Sequence, residues 1–121
     1  MNDSRLVHIT TEEPTVTIQD QRKQLIYNRI IKERGNINQI LKACEEMGEL
    51  MQALSKYQIY RTLGRKSDVH REIVDVYIML EQLCIMFNLS KNKFKMIQDD
   101  KLRKLESIVE RYEKKDKRGL S

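Results

Sequence analysis

Apolar positions recur every three to four residues over most of this chain, and they group into four stretches. The first covers residues 19–34 and stops at Gly35, a residue suited to closing a helix with a left-handed turn. The second begins at Asn36 and covers residues 36–60. The polar run "RTLGRKS" follows and reads as a connection, with Ser67 or Asp68 placed to cap the third helix. That helix reaches Phe87 or Asn88, "NLS" forms a short turn, and Ser90 caps a last helix running to Lys115. The first 18 residues lack helical period and read as an arm or a short extended segment. The fold class predicted is all-α, a four-helix bundle with short loops: an N-terminal arm over 1–18 and a single helical domain over 19–121.

The faces of the two middle helices differ. At 100° per residue, Ile37, Ile40, Leu41, Cys44, Met47, Gly48 and Met51 gather on one side of the second helix. Glu46 and Glu49 lie on the other side, flanked by Ala43, Leu50, Ala53 and Leu54. Both sides are therefore expected to pack, with the acidic side against another helix and Gly48 admitting a close neighbour on the apolar side. The third helix is apolar almost all round and is expected to be central. Glu72 and Asp75 open its stripe of Val76, Met79, Leu83 and Met86.

Composition narrows the class. Hydrophobic residues make up 40% and charged residues 34%, with one proline and four glycines, a mix that favours a helical protein over a sheet or a disordered chain. No stretch approaches the ~18 apolar residues of a membrane span, and no apolar leader is visible. Cys44 and Cys84 lie inside apolar helical patterns without metal-type spacing, so both are expected to be buried free thiols in a reducing, cytoplasmic setting. The net charge of +5 sits in one place: residues 1–90 hold 12 basic and 12 acidic side chains, residues 91–121 hold 11 and 6. That end is either a solvated lysine-rich helix or an anion-binding element.

The carboxylates carry the chemistry. Glu46 and Glu49, like Glu72 and Asp75, are three residues apart and share a helix face. Buried unpaired carboxylates are costly and adjacent ones repel, so these need arginines, protonation or a metal. Antiparallel packing of the two helices would bring four together. All-oxygen acidic ligation suits Mg²⁺ or Mn²⁺, and Mg²⁺ typically joins carboxylates to substrate phosphates, which points to a nucleotide polyphosphate.

"EEMGEL" followed by "EIVD" resembles the EExxE…ExxD signature of the MazG-like, all-α nucleoside triphosphate pyrophosphohydrolases, a group related to dimeric dUTPases, dCTP pyrophosphatases and phosphoribosyl-ATP pyrophosphohydrolase. "DVYIMLEQL" is similar to that family's apolar continuation, and the resemblance covers about residues 37–105. It implies that Glu46, Glu49, Glu72 and Asp75 are Mg²⁺ ligands. It implies that Glu45 orients or deprotonates the attacking water, or serves a structural purpose. It implies cleavage of an NTP or dNTP to NMP and pyrophosphate by a homodimer or homotetramer.

Departures stand beside the likeness. There is no tryptophan, so base-stacking would fall to Tyr57, Tyr60, Tyr77 or Phe94. Where relatives grip phosphate from the last helix, this chain offers Lys101, Arg103 and Lys104 without a clear match. Arg61, Arg65, Lys66 and Arg71 surround the connection before the second acidic pair, and they either bind phosphate or balance charge. His8 and His70 are isolated, and His70 reads as a surface residue. Two other readings remain: a non-catalytic regulatory or assembly module, and a nucleic-acid-binding bundle using "KNKFK" and "KKDKR". The second lacks any recognised base-reading motif, so nucleic acid is the less favoured partner.

Overall fold

A computed structural model describes residues 18–119. Among them the chain is all-α, with four helices and no strand: α1 (Ile18–Arg34), α2 (Asn36–Tyr60), α3 (Leu63–Met86) and α4 (Lys91–Lys117). The expected arm lies outside the described residues except for Ile18, which opens α1. The described residues divide into two compact units between Gln39 and Ile40, inside α2. All the candidate site residues belong to the second unit.

In the first unit, α1 ends as its sequence suggests. Gly35 adopts φ +86, a conformation that costs glycine little and other residues more. Its amide donates to the Ile31 carbonyl at 2.8 Å, and the Asn38 side chain donates to the Arg34 carbonyl at 2.8 Å. Both bonds satisfy carbonyls that the helix end would leave unpaired. Tyr27 and Gln39 are buried.

In the second unit, α2 and α3 are joined only by Arg61 and Thr62. Arg61 takes φ +46 and donates its amide to the Tyr57 carbonyl at 2.8 Å, closing α2. The Thr62 hydroxyl accepts from the Arg65 amide at 3.1 Å and opens α3, a cap of about 1 kcal/mol. The expected connection is thus corrected: Leu63 to Ser67 are helical, and neither Ser67 nor Asp68 is the cap. Both instead accept from the Arg71 guanidinium. Gly64, a weak helix former, makes this turn look like loop in the sequence. A link this short makes α2 and α3 an antiparallel helical hairpin.

At the other end of α3, the Phe87 amide bonds the Leu83 carbonyl at 2.9 Å, and Asn88 takes φ +55. Ser90 caps α4 as expected, accepting from the Lys93 amide at 3.1 Å. The chain turns by 117° between α3 and α4. No residue of α4 is buried. No single helix among the described residues is long and apolar enough to cross a membrane.

Burial departs from the pattern in one systematic way. In the second unit the buried hydrophobic residues are Ala43, Ala53 and Met79, and the buried polar ones are Glu46 and Gln82. The acidic side of α2 therefore faces inward, as expected. Its apolar side does not: Leu41 is 61% and Met51 68% exposed. Cys44, on that side, is exposed and Cys84 half-buried, so both thiols are free but neither is buried. A Cβ at Gly48 would meet nothing within 4 Å among the described residues, so none of the four helices approaches closely there. Nor is α3 enclosed, since Ile73, Val74, Tyr77 and Leu80 are exposed. Amphipathic period reveals which residues share a face. It does not reveal whether the same chain supplies the cover.

Candidate active site

The hairpin brings the two acidic clusters together because α2 and α3 run past each other from a two-residue link. Glu46 is common to two groups, Glu45–Glu46–Glu49 and Glu46–Glu72–Asp75, each offering carboxylate oxygens within 4.8 Å of one another. All five carboxylates singled out in the sequence thus meet around Glu46. Their surroundings differ: Glu46 is only 8% exposed, Glu49 and Glu72 are half-buried, and Glu45 and Asp75 are exposed.

Compensation by cations is incomplete. Lys42, one turn before Glu46, reaches its Oε1 at 3.2 Å and Glu45 Oε1 at 3.4 Å. The hydrogen bond to Glu46, then the nearby charge of Glu45, hold the Lys42 ammonium above its ordinary pKa. Among the described residues no other ion pair reaches the cluster. Glu46 Oε2 and Glu72 Oε2 are buried without a hydrogen-bond partner among the described residues. Leaving such an atom unsatisfied costs about 1–3 kcal/mol, and more when it is charged. Glu49 registers the crowding: the charge of Glu46, followed by desolvation and by Glu72 and Glu45, pushes its carboxyl above the usual glutamate range.

These oxygens fit a hard divalent cation. They are carboxylates, they converge, and two are buried and unpaired, the arrangement such an ion satisfies. Of the three alternatives for the acidic pairs, arginine is not the answer here. Arg71 turns away to Asp68 and to Ser67 Oγ, the latter at 3.0 Å.

A cleft of about 320 Å³ opens beside the cluster, lined by Glu49, Gln52, Ala53 and Lys56 of α2 and by Arg65, Asp68 and Glu72 of α3. Arg65 lies over the Tyr60 ring at 5.3 Å from its centroid. The other cations considered in the sequence are elsewhere. Arg71, Lys101 and Lys104 are exposed and do not line this cleft. His70 is a surface residue, as expected. Lys42, Gln52 and Lys56 escaped the sequence reading. Lys42 is signalled by its i,i+4 spacing to Glu46, and Lys56 stands two turns after Glu49 on the same stripe. A scan against protein-family models and searches of curated proteins and solved structures returned no match.

Proposed function

We propose that this chain is a cytoplasmic, Mg²⁺-dependent nucleotide pyrophosphohydrolase of the MazG-like, all-α type, with Mn²⁺ an alternative ion. It would cleave an NTP or dNTP to NMP and pyrophosphate, in the sanitation or control of nucleotide pools. The observation that carries this reading is the pair of buried, unpartnered oxygens on Glu46 and Glu72 within one carboxylate cluster. The motif pair "EEMGEL" and "EIVD" supports it independently.

Glu46, Glu49, Glu72 and Asp75 would hold the ion. When bound, Mg²⁺ supplies neutralisation of phosphate charge and acidification of a water molecule. Glu45, exposed beside Glu46 and Glu49, would orient that water or accept its proton through its carboxylate. The water's oxygen bonds phosphorus, the anhydride bond breaks, and pyrophosphate carries away the electron pair. Arg71, Lys101 and Lys104 would contribute to phosphate binding from outside the cleft.

A homodimer or homotetramer belongs to the same proposal. The exposed apolar sides of α2 and α3 support it, as does α4, whose Phe94, Ile97, Leu105, Val109 and Tyr112 form an exposed stripe. A soluble chain rarely leaves such surface uncovered. The same surface also favours the second reading, a non-catalytic assembly module. A screen of nucleotides with Mg²⁺, read as pyrophosphate release, separates the two. Release from at least one triphosphate that stops on chelation is the expected result. No release from any nucleotide, with an intact helical spectrum, would overturn the enzymatic reading.

A further inference from the structure

The cleft is polarised along its length, and the helix spacing shows how. On α2 the lining residues Glu49, Gln52, Ala53 and Lys56 follow an i, i+3, i+4, i+7 stripe. On α3, Arg65, Asp68 and Glu72 follow i, i+3, i+7. Each helix therefore places one cation seven residues, about 10 Å of helix rise, from its cleft carboxylate. Because the helices are antiparallel, the two displacements run the same way. Lys56 and Arg65 both fall at the linked end of the hairpin, and Glu49 and Glu72 both fall at the other.

Neither Lys56 nor Arg65 makes an ion pair with any described residue. The Arg65 guanidinium lies over the ring of Tyr60, 5.3 Å from its centroid, which costs it freedom before any ligand arrives. A held guanidinium is a preorganised partner for phosphate oxygens.

We infer that Lys56 and Arg65 form a clamp for the terminal phosphate of a triphosphate whose inner phosphates lie toward the carboxylate end. The inference rests on the proposed hydrolase reading and adds to it the two residues that would meet the outermost phosphate. A single phosphate cannot engage both ends of the cleft. A chain of three phosphates extends from the carboxylates toward the cations, which makes triphosphates preferred over diphosphates.

The test uses the full chain and calorimetric binding of inorganic tripolyphosphate, pyrophosphate and orthophosphate, each with and without Mg²⁺. Tripolyphosphate should bind about tenfold tighter than pyrophosphate, the scale of one charge-assisted contact, with orthophosphate weakest. Lys56→Ala and Arg65→Ala should each reduce that preference, and the double variant should abolish it. Arg65→Lys should restore part of it. In turnover, the same variants should raise KM for the triphosphate about tenfold and leave kcat nearly unchanged. Retention of the wild-type preference in the double variant, with Mg²⁺ dependence and helical spectrum intact, overturns the clamp alone. Binding by the wild type that ignores Mg²⁺ overturns the clamp and the hydrolase reading together.

Discussion

The two sides of α2 invert the usual order of a helix in a folded domain. The side that carries Gln39, Ala43, Glu46 and Ala53 is buried, while the side that carries Leu41, Cys44, Met47 and Met51 is exposed. Small residues explain the first half. Alanine at positions 43 and 53 lets α3 lie near α2, and the carboxylates between them are enclosed by that approach. The second half follows because no described residue covers the apolar side. Burial on the inner side spends free energy to hold carboxylates in a confined place, whereas burial on the outer side would release it on association. A helix built in this way would separate the proposed site from the proposed assembly face by about half a turn.

That contrast can be broken or sharpened by experiment, and the largest effect is expected on the inner side. Glu49→Ala or Asp75→Ala should lower pyrophosphate release by roughly a thousandfold, the scale of removing a group that stabilises developing charge, with circular dichroism unchanged. Full activity in either variant would remove the carboxylates from the chemistry. On the outer side, Leu41→Lys combined with Met51→Glu should shift sedimentation from oligomer to monomer and make the melting temperature independent of protein concentration. A face that water covers in the native protein would instead tolerate both changes to within about 0.5 kcal/mol.

A smaller effect separates binding from stability. Glu46→Gln keeps the shape of the buried side chain and removes one of several like charges, so the metal-free protein should melt a few degrees higher, about 1 kcal/mol, while any stabilisation by Mg²⁺ shrinks. A lower melting temperature would show that the Lys42 pair outweighs the repulsion. The smallest effect is a slope with pH. Glu49 holds its proton to higher pH when folded than when unfolded, because Glu46 and its neighbours crowd it. Between those two values the folded state binds more protons, so stability of the metal-free protein should fall as pH rises through that window. Saturating Mg²⁺ should flatten the slope, since the ion stabilises the ionised form.

Much of the fold was legible from local signals. Gly35 and Ser90 punctuate the chain by backbone physics that needs no tertiary context, and the helices end where these residues stand. The start of α3 was not legible, because Thr62 caps a turn whose glycine and cations look like loop. The carboxylate cluster was legible because both pairs have helical spacing and only their meeting required the hairpin. Lys56 and Arg65 were harder. Each stands seven residues from a carboxylate of its own helix, but that both fall at one end of the cleft follows only once two helices run antiparallel, and a single-helix pattern contains no such information. The burial of α2 was half legible: its acidic side was placed correctly, while its apolar side depends on a cover that the described residues do not supply.

The link of Arg61 and Thr62 gives the hairpin a fixed gauge. With so little chain between the helices, the position of Glu72 opposite Glu46 is set by counting residues from one turn, much as a ratchet tooth is set by its pawl. An insertion of a single residue there would have to be absorbed by sliding or rotating α3, about 100° for each residue, which would carry the second carboxylate pair off the first. A chain with this design should tolerate lengthening beyond Ser90 far better than lengthening at the hairpin tip, and randomised insertions scored for Mg²⁺-dependent stabilisation would trace that boundary residue by residue.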